Sequence, residues 1–192
     1  MIFMANIRVG IDPSINSTGV CIHNIDNNST KYYIISSKMT KKMKEFKHPY
    51  ISYFPYDKLE AKDGSYSDKE NKKFSNILNI CSHISYIIGL LKHPQNNISV
   101  FMEGVSYGSV GSAALVDLSF LNAAIRMTLH YNNVPFTIVS PTSLKKFACA
   151  NGQADKNLMI DAWKRMDKNI SDIKDIKIDD LADSYFLSCY HN

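Results

Sequence analysis

Two acids each close a short apolar run: Asp12 ends "IRVGID" and Glu103 ends "ISVFME". If the two runs are parallel neighbouring strands, about 4.8 Å apart, their carboxylates meet at one sheet edge, where open α/β sheets build ligand sites. Two unpaired carboxylates that close repel one another and persist when a cation lies between them; all-oxygen donors with open water positions suit Mg²⁺ or Mn²⁺. Asp180 and Asp183, three apart near the chain end, sit on one side of a predicted helix and can point at a common site. Each acid alone has an ordinary alternative. Asp12 precedes Pro13 and is a natural strand-end residue, while Asp180 and Asp183 lie almost opposite the stripe of Leu181, Ala182, Tyr185, Phe186 and Cys189, as a solvated acidic face would. Leu187 falls between those two acids in projection, which instead favours packing on the sheet. Together the four suit two-metal phosphodiester hydrolysis, one ion activating water and the other stabilising the leaving 3′ oxygen.

The elements that must position these acids follow from periodicity. Ile7, Val9 and Ile11 alternate with Arg8, Gly10 and Asp12, the period-2 mark of a strand. Runs at 19–25 and 31–37 complete a three-stranded antiparallel meander, with Pro13 ending the first strand's pairing and Gly19 letting the chain fold back. Residues 38–72 lose periodicity and read as an inserted loop. Helical spacing returns from Phe74 to Leu91, and the strand at 98–103 follows. The segment at 112–131 is apolar nearly all round, as in a helix buried in a core or a subunit interface. A strand at 135–140, a short helix from Pro141, a helix at 155–166 capped by Asp155, and a last helix at 178–191 complete a mixed α/β order.

The chain of 192 residues suits a single domain, 1–192, with the insertion at about 38–72. An apolar share of 45% and a charged share of 21% are those of a globular protein, and no apolar run approaches the roughly 18 residues of a membrane span. No basic, apolar and small-residue leader pattern opens the sequence, so a cytoplasmic location is expected. Cys21, Cys81, Cys149 and Cys189 show no metal or disulfide spacing and are expected to be reduced. Net charge is +4, and five lysines stand against one glutamate in "KMTKKMKEFK", residues 38 to 47. A solvated loop is the common fate of such a run; the alternative is contact with phosphates by Lys41, Lys42 and Lys44, with interleaved aromatics to stack on unpaired bases.

Taken in order, "GIDPSINSTGV", "MEGVSYG", "SPTSLKKFACANGQADKNLM" and "DDLADSYFLS" resemble the motifs of the RuvC-type Holliday junction resolvases of the RNase H-like superfamily. The last also resembles that of poxvirus resolvases, and the Asn-, Lys- and Ile-rich, AT-rich character fits a phage or viral member. The resemblance covers most of the chain except 38–72 and 167–177. It implies an RNase H-like mixed five-stranded sheet, three antiparallel strands plus two parallel, flanked by helices. It implies Asp12, Glu103, Asp180 and Asp183 as the catalytic and metal-binding acids, with two Mg²⁺ per site and Mn²⁺ able to substitute. Lys145 and Lys156 match the family's DNA-backbone lysines. Tyr107 stands in the loop where relatives carry an aromatic that wedges into the junction centre, here one residue later.

The function so implied is a homodimeric crossover junction endodeoxyribonuclease, cutting four-way junctions and related branched DNA to leave 5′ phosphates and 3′ hydroxyls. No nucleotide cofactor and no membrane partner are expected, and a phage or viral member would work in the host cytoplasm. Alternatives are an inactive junction-binding protein of the same fold, an RNase H-type ribonuclease or a broader flap nuclease. An actin-like ATPase would need a second Gly-rich phosphate loop, which the sequence does not show.

Overall fold

The computed structural model describes residues 5–37, 41–105, 112–170, 173 and 178–191. The meander forms as its alternation predicts: β1 (Asn6–Asp12), β2 (Ser17–Asn24) and β3 (Ser29–Ser36) pair antiparallel. Then come α1 (Lys41–Glu45), β4 (Ile51–Pro55), α2 (Tyr66–Leu91), β5 (Asn97–Glu103), α3 (Ser112–Tyr131), β6 (Phe136–Val139), α4 (Pro141–Cys149), α5 (Lys156–Met166) and α6 (Ile178–Cys189). A 3₁₀ turn at Lys168–Ile170 precedes α6. The sheet order is β4-β3-β2-β1-β5-β6, with β5 parallel to β1, β6 to β5 and β4 to β3.

The sheet therefore has six strands where the sequence predicts five, and the extra strand comes from the insertion. Its period-2 signal is masked by flanking Pro49, Tyr50 and Pro55, yet Tyr32 N–H donates to Tyr50 O (2.7 Å) and Tyr56 N–H to Ser36 O (3.1 Å), clamping both ends. Pro55 is tolerated because β4 is an edge strand, where a missing N–H breaks no ladder. The insertion also ends sooner than predicted. The first turns of α2, "YSDKENKK", are polar after Tyr66 and bury no residue, and so lack apolar periodicity, but Ser65 and Asp68 form a reciprocal capping box that starts the helix at Tyr66.

Two cores lie on opposite faces of the sheet. On one, Val9, Ile11, Val20, Ile35, Val100 and Met102 receive Ile77, Ile80, Ile84, Ile87 and Ile88 of α2 and Leu121, Ile125 and Leu129 of α3. By length and composition α2 would pass for a membrane span, but this isoleucine stripe is buried against the sheet. On the other, Cys21, Tyr32, Ile34 and Val139 receive Leu144, Met159, Trp163, Leu181 and Leu187 of α4, α5 and α6. Here a buried polar knot locks α5 to the sheet. Asp167 accepts from Thr30 Oγ1 and Tyr32 Oη (each 2.6 Å), and Trp163 Nε1 donates to Tyr32 Oη (3.0 Å). All four cysteines are free thiols, with Cys21 and Cys81 buried.

Candidate active site

The register places the first two acids side by side. Asp12 pairs across with Gly19 of β2; Ile11 pairs with Met102 of β5, so Glu103 ends the strand next to Asp12. Adjacent strands lie about 4.8 Å apart and paired residues share a face, so both carboxylates project from the face that carries α6. Asp12 and Glu103 share a hydrogen bond. The end of β5 is held from behind: Asn122 Nδ2 of α3 donates to Glu103 O (2.9 Å), Arg126 Nη2 donates to Asn122 Oδ1 (2.6 Å), and Gly104 N–H donates to Val139 O (2.8 Å).

α6 brings the other two acids to the same edge, and glycines decide how. A Cβ on Gly10 would lie 1.9 Å from Ser184 O, and one on Gly19 would lie 2.2 Å from Asp180 O. The helix backbone thus rests on bare strand backbone, and the residue opposite Asp12 is the one over which Asp180 sits. Gly19 does not serve the turn, as the sequence suggested; it serves this contact. The solvated acidic face is also overturned: Leu181, Ala182, Ser184, Tyr185, Phe186, Leu187 and Ser188 are all buried, and Asp180 and Asp183 are only partly exposed. Leu187 belongs to the core, as its projection between the acids implied. Ser17 Oγ donates to Asp180 Oδ2.

The electrostatics record the crowding. Burial, then the charges of Glu103, Asp183 and Asp180, hold the Asp12 carboxyl well above the usual range. Burial and Asp183 push Glu103 up to about 7, against the opposing Asp12 hydrogen bond and Lys145 charge. Burial and Asp179 push Asp183 up to about 6, opposed by Lys145 and Lys156. Burial and mutual repulsion thus both favour the protonated forms of these three carboxyls. Among the described residues no three such side chains stand as a closed ligand set. The donor chemistry nevertheless fits a hard divalent ion: carboxylate oxygens only, crowded enough that a bound cation would offset their mutual repulsion.

The predicted lysines divide. Lys145 on α4 is partly buried, and its charge reaches both Glu103 and Asp183. Lys156, the first residue of α5, is exposed at the rim, and its Nζ binds Asp179 Oδ2 at 2.6 Å. Lys41 is exposed on α1 and faces Glu45 at 3.9 Å. Lys42 and Lys44 belong to the same helix, but their side chains lie outside the described residues, as does Tyr107 entirely.

Several supporting residues escape a sequence reading. Asp179 looks like one more acid in "IDDLAD" until Lys156 is seen against it. Asn122 and Arg126 do leave a trace: four apart, they are polar intrusions on an apolar helix. The insertion also returns to the site's edge. Tyr56 Oη donates to Ile15 O, and Lys58 Nζ donates to Asn16 Oδ1 (2.8 Å), bracing the turn after Asp12.

Strand order, layering and the helix carried across β1 and β2 define an RNase H-like α/β fold of the RuvC kind. Among solved structures, RuvC of Thermus thermophilus superposes with a TM-score of 0.58 at 14% identity, covering 95% of this chain and 90% of that one. T. thermophilus RuvC in complex with Holliday junction substrate gives 0.60 at 11% identity, covering 95% of this chain and 89% of that one. At these identities the likeness shows the fold. No family model matches the chain, and no curated protein matches it either.

Proposed function

We propose that this protein is a metal-dependent endonuclease that cleaves Holliday junctions and related branched DNA by phosphodiester hydrolysis. The observation that carries the reading is the convergence of acids from β1, β5 and α6 on one edge, with Asp12, Glu103 and Asp183 all raised in pKa, in a fold shared with a RuvC that was solved with its junction. Asp12, Glu103, Asp180 and Asp183 would hold two Mg²⁺, or Mn²⁺ in their place, supplying an activated water and stabilising the leaving 3′ oxygen.

The remaining steps belong to the chain's own groups. Ser17 fixes the orientation of Asp180, and the Asn122 bond fixes the end of β5, so the carboxylates are preset before substrate arrives. Lys145 places positive charge beside the acids and suits the scissile phosphate. Lys156, exposed at the rim, suits a neighbouring phosphate of the same strand, and Lys41, Lys42 and Lys44 a more distant stretch of backbone. No side-chain nucleophile is needed. A homodimer fits the surface: Phe74 and Leu78 of α2 and Val116, Phe120 and Met127 of α3 are exposed, and a hollow of about 450 Å³ lies between those helices.

The test is cleavage of a labelled four-way junction beside duplex, flap and RNA/DNA hybrid, in Mg²⁺ and in EDTA. Wild type should cut the junction only with metal, and Asp12→Asn should lose at least about a thousandfold in rate while still binding it. Activity that survives in Asp12→Asn would sink the metal assignment. Preference for the hybrid would make the protein a ribonuclease, and binding without cleavage by wild type would make it a junction-binding protein.

A further inference from the structure

We infer that the hollow between α1 and β4 is a binding site for an unpaired nucleobase of the DNA substrate, an inference that rests on the nuclease reading above. The hollow, about 550 Å³, is lined by Met43, Phe46, Lys47, His48, Ile51 and Tyr53 among others, and no acid among the described residues lines it. Its rings are arranged for stacking. Phe46 and His48 lie parallel, with 3° between planes and 5.8 Å between centroids, and Tyr53 meets Phe46 edge-on at 6.2 Å; Tyr50, outside the lining, tilts over His48 at 5.8 Å.

These rings are not used up by the core. Phe46 and His48 are only partly buried, and Tyr50 is 37% exposed. Tyr53 Oη, by contrast, is buried and has no hydrogen-bond partner among the described residues. A buried hydroxyl left unpaired is destabilising, so a ligand that brings an acceptor to it is favoured. A nucleobase brings both a π-face and edge acceptors, and its phosphate suits Lys47. An acidic peptide would satisfy the lysines but not the parallel rings and the buried phenol together.

The register sets this hollow relative to the acids. Asp12 pairs with Gly19, Gly19 with Ile34, and Ile34 with Tyr53. Tyr53 thus shares a face with Asp12 three strand spacings away, about 14 Å. That is the rise of about four base pairs of B-form DNA, and fewer nucleotides of an extended strand. A strand whose phosphate reaches the carboxylates can therefore offer an unpaired base a few nucleotides away to the hollow.

The experiment compares two four-way junctions in EDTA, one blunt and one bearing a single-stranded tail that contains 2-aminopurine. Wild type should quench the probe and bind the tailed junction more tightly. The double variant Phe46→Ala, His48→Ala should lose about tenfold in affinity for the tailed junction only, with the salt slope unchanged. Tyr53→Phe, which keeps the ring and its packing, should lose part of the same preference. Wild-type quenching in the double variant, or equal loss on both junctions, overturns the inference. Cleavage that remains metal-dependent in that case leaves the nuclease reading intact; quenching by a wild type that cuts no branched DNA would do the reverse.

Discussion

The two faces of the sheet are assembled by different means. On one, α2 and α3 meet the strands side chain to side chain, through isoleucines and leucines that interdigitate. On the other, α6 adds to its side-chain packing a main-chain contact, its backbone lying against bare strand at Gly10 and Gly19. The first kind of contact can repack when a side chain changes size, whereas the second leaves no room for any side chain. The acids stand on the second kind, so their positions are fixed by the fold itself.

The widest separation between the faces should appear when one atom group is changed on each. Gly10→Ala forces a methyl into Ser184 O and Ser188 N and should cost about 3 kcal/mol of unfolding free energy in urea. Ile84→Val, at a fully buried site on the α2 face, should cost about 1 kcal/mol. Equal losses would mean that α6 can slide and that the glycines are incidental. Gly19→Ala sharpens the point, because it displaces the Asp180 backbone: surviving fold with lost cleavage is the expected outcome.

A smaller effect separates the faces by pH. Asp12, Glu103 and Asp183 have raised pKa values in the folded state, so the stability linked to them is full below their unfolded values and is lost as pH rises through the folded ones, about 6 for Asp183 and about 7 for Glu103. In EDTA the melting temperature should therefore fall from pH 5 to pH 8, and Mg²⁺ should restore it most at the alkaline end. His83 of α2, stacked on Phe54 of β4, works against this below its ordinary value, because burial lowers its pKa. Asp26, Asp68 and Asp179 are lowered and lose their contribution only in more acid solution. Asp12→Asn should flatten the EDTA profile and raise the melting temperature at pH 8; an unchanged profile would place the crowding elsewhere.

How much of this was legible in the sequence follows the same division. The acids at strand ends could be read because alternation fixes both the strand and its last residue, as at Ile7, Val9, Ile11 and Asp12. The Asp155 cap could be read because its side chain acts locally, accepting from Leu158 N–H at 2.9 Å. β4 could not, since an edge strand needs only one good ladder and its flanking prolines hide the pattern. Gly19 was legible as glycine but not as a helix seat, because its reason lies 161 positions along the chain, at Asp180. The role of Asp179 is hidden likewise, since a carboxylate beside two others gives no sign of which cation it meets.

That ion pair yields the smallest difference, within the α6 face itself. Lys145 is partly buried and its charge already acts on Glu103 and Asp183, whereas Lys156 is 79% exposed and bound to Asp179. A phosphate that recruits Lys156 must therefore compete with Asp179, and an exposed pair of this kind is worth about 0.2–1 kcal/mol. Asp179→Asn should then tighten junction binding in EDTA by up to about fivefold, with the gain shrinking as salt rises. Lys156→Ala should weaken binding and lower the slope of log affinity against log salt by about one, the signature of one lost phosphate contact. If Asp179→Asn tightens binding equally in a Lys156→Ala background, the gain comes from reduced negative charge at the rim. If the gain vanishes in that background, the pair is a latch that DNA opens, and the rim of this face is set by competition rather than by packing.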